Sequence, residues 1–178
     1  MGKRRVAIIG LDCLTPQLVF EQWRGDLPAL SRLMDQGRWG RLKSTIPPIT
    51  VPAWTAMMSG KNPGTLGFYG FRNRADHSYE RMTIANSKAV TDDRAWDIVS
   101  RAGKQVIVLG VPQTYPPQPV NGNLVTCFLT PSTENEYTYP PQLKDEIRTV
   151  VGEYMLDVPE FRTDARDQLL EAIYRMTE

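Results

Sequence analysis

Residues Arg5–Val–Ala–Ile–Ile–Gly10 form a short, nearly continuous apolar run that stops at a glycine. Unbroken hydrophobicity, as opposed to alternation, suits a strand covered on both faces, as in a parallel sheet between helices. A second such run, Gln105–Val–Ile–Val–Leu109, follows a stretch from Asp92 to Ala102 in which Trp96, Ile98 and Val99 have helical spacing and Gly103 supplies the stop. Strand, helix and strand in succession imply a right-handed crossover. The expected architecture is one α/β domain over residues 1–178, a mostly parallel sheet flanked by helices.

The remaining segments extend this pattern. From Pro16 to Met34, Leu18, Val19, Trp23, Leu27, Leu30 and Leu33 suggest two helical segments broken near Gly25, the second starting at Pro28 and closed by Gly37. Arg38 to Lys43 alternates and is compatible with a strand. Thr45–Ile–Pro–Pro–Ile–Thr50 is a stiff, proline-set loop. Pro52 then fits the first turn of a helix running through Trp54, Met57 and Met58 to Gly60, which places Thr50 at a helix amino terminus. Pro112, Pro116, Pro117 and Pro119 make Val111 to Val120 a polyproline-like loop. A strand over Asn123–Phe128 and helices over Pro140–Val151 and Thr163–Met176 complete the chain.

Composition narrows the function. Lysine plus arginine number 21 against 20 aspartates and glutamates, so overall charge gives no reason to expect a nucleic-acid or anionic-membrane partner. Cys13 and Cys127 share no C-x-x-C spacing and read as reduced thiols of a cytoplasmic protein. The basic Met1–Gly–Lys–Arg–Arg5 precedes an apolar run too short for a signal peptide, and no segment is long enough to span a bilayer. The one histidine, His77, lies in the polar stretch Asn73–Arg–Ala–Asp–His–Ser78, which reads as a solvated loop or hairpin turn. A complete histidine-rich metal site cannot be built from it. Gly10–Leu–Asp–Cys13 is not a dinucleotide fingerprint, and Gly60–Lys–Asn–Pro–Gly64 lacks the ending of a P-loop.

Two positions stand out as chemistry. Asp12 falls just past the carboxyl end of the first apolar run, where α/β sheets place ligands and a carboxylate serves as a metal ligand; it serves equally as a turn cap. Thr50, at a helix amino terminus, would feel the positive end of the dipole and unpaired backbone N–H groups, which favour an alkoxide or a bound phosphate. An ordinary capping threonine fits the local sequence as well.

Taken together, Ile8–Ile–Gly–Leu–Asp–Cys–Leu–Thr–Pro16 and Thr50–Val–Pro–Ala–Trp–Thr–Ala–Met–Met–Ser–Gly–Lys–Asn–Pro–Gly64 resemble the type I phosphodiesterase/nucleotide pyrophosphatase family of the alkaline phosphatase superfamily. The resemblance continues through Phe68–Tyr–Gly–Phe71, Val111–Pro–Gln–Thr–Tyr–Pro–Pro–Gln–Pro–Val–Asn–Gly122 and Phe128–Leu–Thr–Pro–Ser132, covering essentially the whole chain.

The resemblance implies an alkaline-phosphatase-like core, incomplete in this chain, whose residues 1–178 are the amino-terminal portion of a larger catalytic domain. It implies a metal-dependent hydrolase of phosphate esters, with Thr50 as nucleophile forming a covalent phospho-enzyme, and Asp12 and Thr50 as metal ligands. The implied cofactors are two divalent ions, commonly zinc in the superfamily, with manganese an alternative. The implied partner is a small-molecule phosphate ester. Further aspartate and histidine ligands are expected beyond Glu178. One departure concerns substrate: where nucleotide pyrophosphatases have T-F-P-N, this chain has Thr50–Val–Pro–Ala53, removing a side-chain amide that would contact phosphate. Thr50 also argues against a sulfatase, which needs a cysteine or serine. The alternatives are a catalytically inactive fragment, or a binding module that docks a partner through the proline loop around Tyr115.

Overall fold

The computed structural model describes residues 5–76, 78–159 and 161–177, so His77 lies outside the described residues. The chain is α/β, with helices and small mixed sheets, and forms two compact units: the described residues up to Ser44, and those from Thr45 onward.

In the first unit, residues 5–10 are not the expected buried strand. They carry no ladder, and Val6 and Ile9 are 87% and 81% exposed. The run has the composition of a buried strand, but a strand exists only through the backbone groups of its neighbours, and residues 5–10 enter neither sheet. Helical backbone follows at Gln17–Gln22, in π geometry, with the Trp23 N–H donating to the Leu18 carbonyl at 2.8 Å. Helix α1, Pro28–Gln36, begins with Pro28 at its first position and is capped by Gly37, as its sequence predicts. Arg38 to Lys43 is not a strand. The Trp39 ring packs 4.7 Å from Phe20, the Arg24 guanidinium lies 5.9 Å over it, and Arg41 pairs with Glu21. These side chains dock on the preceding helical segment instead of a sheet.

The second unit opens with helix α2, Thr50–Ser59, followed by the single turn α3, Pro63–Leu66, which Asn62 caps by accepting the Thr65 N–H at 2.9 Å. Strands β1, Arg72–Arg74, and β2, Met82–Ile84, pair antiparallel with Arg72 opposite Ile84. After a 3₁₀ turn at Ser87–Ala89 comes helix α4, Ala95–Arg101. It begins later than Asp92 because Arg94 is the N-cap, with the Asp97 carboxylate accepting the Arg94 backbone N–H at 2.9 Å.

Strands β3, Val106–Leu109, β4, Gly122–Val125, and β5, Thr138–Tyr139, form the second sheet in that order, β3 parallel and β5 antiparallel to the central β4. The β3–β4 connection is the proline-rich loop, without a crossover helix. Helices α5, Leu143–Val151, and α6, Arg166–Thr177, follow. The core gathers Val108 and Leu124 from the sheet with Trp96 of α4, Met58 of α2 and Val120. Burying a side chain such as Leu124, 1% exposed, contributes about 2–3 kcal/mol. A second cluster joins Val51 of α2 to Phe68 and Ala85. Helix α2 therefore packs into both clusters of its unit.

Candidate functional site

The sequence sets the start of α2 tightly. Ile49 is extended (φ −115°, ψ 147°), and its carbonyl accepts the first intrahelical bond, from the Ala53 N–H at 3.0 Å. Pro52 has no N–H, so those of Thr50 and Val51 stand ahead of that bond. Gly60, left-handed at φ 69°, ends the helix and donates to the Ala56 carbonyl at 2.9 Å. Upstream, the Thr45 hydroxyl donates to the Pro47 carbonyl at 2.8 Å, tying the proline loop to itself.

Periodicity then divides the faces of α2. Val51, Thr55 and Met58 recur at helical spacing and are buried, while Thr50 and Trp54 are half-buried and Met57 is exposed. The face that includes Thr50 is the less buried one. Thr50 is thus the first residue of the helix, as its sequence predicts.

Asp12 lies in the other unit, in a turn after residues 5–10, exposed, with one carboxylate oxygen accepting the Cys13 N–H at 3.1 Å. Cys13 adopts a left-handed φ of 59°, which lets the turn close around the carboxylate. Both cysteines are free thiols, Cys13 exposed and Cys127 buried. Among the described residues no three histidine, cysteine, aspartate or glutamate side chains gather as a metal would require. A protein-held zinc takes three or four ligands. Asp12 and Thr50 offer one carboxylate and one hydroxyl, so the described residues do not fit a complete centre.

Sequence reasoning missed what holds α2 in place. Gln113, in the loop after β3, is 2% exposed and its side-chain amide meets the Thr55 hydroxyl, while its Nε2 donates to the Asn86 carbonyl at 3.5 Å. One signal was present: the loop leaves the carboxyl end of a parallel strand, where α/β folds gather functional groups.

The shifted titrations lie on other elements. Burial pushes the phenols of Tyr137 and Tyr154 upward, their rings stacked 5.5 Å apart. Hydrogen bonds from Ser78 and Arg101 hold Asp76 and Asp93 below the usual carboxylate range. An apolar groove of about 340 Å³ between β3, β4 and α5 is lined by Ile107, Leu109, Val125, Ile147 and Val150 and includes none of Thr50, Thr55 or Gln113. Among the described residues no helix is long and apolar enough to cross a membrane.

Compared with known proteins, residues 6–176 match the family model described as type I phosphodiesterase / nucleotide pyrophosphatase. No curated protein and no solved structure matched the chain.

Proposed function

Because this chain belongs to the type I phosphodiesterase/nucleotide pyrophosphatase family, we propose that Thr50 is the nucleophile through which it opens phosphodiester or pyrophosphate bonds. The family indicates hydrolase activity on a small-molecule phosphate ester. The position of Thr50 at the head of α2 is the observation that supports the finer reading.

The Thr50 oxygen attacks phosphorus, an O–P bond forms as the ester P–O bond breaks, and the hydroxyl proton passes by way of solvent to the oxygen of the departing group. The helix amino terminus faces the phosphoryl oxygens with the positive end of its dipole. Water then cleaves the phospho-threonine, releasing a phosphate or phosphomonoester and restoring the hydroxyl. Asp12 in one unit and the Thr50 oxygen in the other would each offer a ligand atom to the divalent ions, zinc or manganese, that the resemblance implies.

The test is Thr50→Ala and Thr50→Ser in the longest natural chain that contains these residues, assayed on aryl phosphate mono- and diesters with zinc or manganese present. Thr50→Ala is expected to lose turnover by on the order of 10³-fold or more, and Thr50→Ser to retain part of it. Undiminished turnover in Thr50→Ala refutes the nucleophile.

A further inference from the structure

Gln113 is 2% exposed and occupies a costly backbone conformation. It is not glycine, yet its φ is 65°, a left-handed backbone that bulky residues avoid. That backbone turns the side chain from the end of the β3 loop onto the buried face of α2. There the amide meets the Thr55 hydroxyl, and the same hydroxyl donates to the Val51 carbonyl at 2.8 Å. A hydroxyl has one proton, so Thr55 shares it between the helix and the loop.

We propose that Gln113 is a positioning residue for Thr50, clamping the first turn of α2 through Thr55; this rests on Thr50 being the nucleophile. Val51 and Thr55 are stacked at i and i+4 on one face, and Thr50 is the neighbour of Val51. Holding the Thr55 hydroxyl and the Val51 carbonyl fixes the rotation of that turn about the helix axis. The direction in which Thr50 points is fixed with it.

The clamp is anchored at its other end. The Gln113 Nε2 reaches the Asn86 carbonyl, the next residue's N–H donates to the Tyr115 carbonyl at 2.8 Å, and the Ser87 hydroxyl donates to the Pro116 carbonyl. Thr114, 1% exposed, closes the loop on itself by donating to the Val111 carbonyl at 2.7 Å. Loop, 3₁₀ turn and helix thus form one buried network, in which low dielectric strengthens each bond and a missing member is felt by the rest.

A glutamine that merely satisfied Thr55 would affect stability alone, and kinetics separates the two roles. Gln113→Leu, Thr55→Val, Thr55→Ser and the Gln113→Leu/Thr55→Val double variant are compared with wild type and Thr50→Ala on an aryl phosphodiester. All are assayed at a temperature where circular dichroism matches wild type, with Gln113→Met as substitute should Gln113→Leu not fold. Expected is a fall in kcat of about 10²-fold for Gln113→Leu and for Thr55→Val with KM within about threefold, since a displacement near 1 Å has that effect. The double variant should be no slower than the slower single, because one interaction is removed once, and Thr55→Ser should stay within about threefold of wild type. Amides of Ala53 to Met58 should exchange faster in Gln113→Leu while those of β4 do not.

The proposal is overturned if Thr50→Ala is inactive while Gln113→Leu keeps its kcat, if the single losses multiply in the double variant, or if exchange in α2 is unchanged. Full turnover in Thr50→Ala overturns the nucleophile reading first and the clamp with it.

Discussion

Replacing Gly122 by alanine puts a methyl carbon 2.0 Å from the Val106 carbonyl oxygen, 2.9 Å from its nitrogen and 3.0 Å from its carbonyl carbon. All three are backbone atoms of β3, so no side chain can swing away. Carbon and oxygen settle at about 3.3 Å even when they attract, so β3 and β4 must part by on the order of 1 Å at the Val106–Gly122 pair. Parting them strains the bond from the Val106 N–H to the Asn121 carbonyl, now 3.0 Å, and because Val106 is half-buried and Asn121 exposed its loss costs about 0.5–1.5 kcal/mol. Gly122 also has a φ of 145°, where a side chain adds roughly another 1–3 kcal/mol. The expected loss is therefore about 3 kcal/mol, a large share of the roughly 5–15 kcal/mol that holds a domain folded. Urea unfolding followed by tryptophan fluorescence measures it, because Trp96 packs in the same cluster as Val108 and Leu124. Gly25→Ala, with no atom within 4 Å of the added carbon, is the control and should change stability by less than about 0.5 kcal/mol. A loss under about 1 kcal/mol in Gly122→Ala would show that the strands part without disturbing the ladder and that Gly122 is not needed for their close approach.

Asp97→Ala removes both the cap on the Arg94 N–H and the partner of the Arg94 Nε at 2.8 Å, and leaves a guanidinium whose side chain is only 9% exposed. The expected cost is about 2–4 kcal/mol, a fall in Tm on the order of 10 °C, with Asp97→Asn losing less because it keeps an acceptor. A Tm for Asp97→Ala equal to wild type would show that water replaces both bonds. The second test is alkaline. Burial raises Tyr137 and Tyr154 above their ordinary 10.0, so these phenols hold their protons more tightly folded than unfolded. Their contribution is fully present below the unfolded value and is lost as pH rises through the folded one. Tyr154→Phe should therefore move the alkaline unfolding midpoint upward, and a midpoint that stays or falls contradicts the burial argument.

Helix limits were legible where the sequence carries its own punctuation. Pro28 and Gly37 bound α1, and Gly60 ends α2, because proline and glycine act through their own backbone geometry whatever surrounds them. Strands were legible only when a partner existed. Gln105–Leu109 and Asn123–Phe128 became β3 and β4, each shorter than expected, whereas residues 5–10 remained unpaired. Trp39 misled in another way: alternation suggested a strand, yet its ring docks on Phe20. Gln113 could not be found from spacing at all, since its partner Thr55 is 58 residues away and the bond depends on a left-handed backbone that no local pattern announces. Thr50 and Asp12 were read from two motifs jointly, since each alone fits a cap or a turn.

Magnitudes bear on what each of those two residues could do in the proposed reaction. An aliphatic hydroxyl is about as weak an acid as water. A helix amino terminus contributes at most about 2 kcal/mol to a neighbouring anion, far less than making a hydroxyl ionise near neutral pH requires. In the proposed reading the position of Thr50 on α2 would orient its hydroxyl and help hold the phosphoryl group, and most of the activation would come from another group. A bare carboxylate does not supply it. A negative charge close to a forming alkoxide opposes it. A carboxylate aids phosphoryl transfer chiefly by holding a cation, so in the proposed reading Asp12 would serve as a ligand and not as a base. On that argument Asp12→Asn should weaken divalent-ion dependence and turnover together. A general base would instead lose turnover with the ion dependence unchanged.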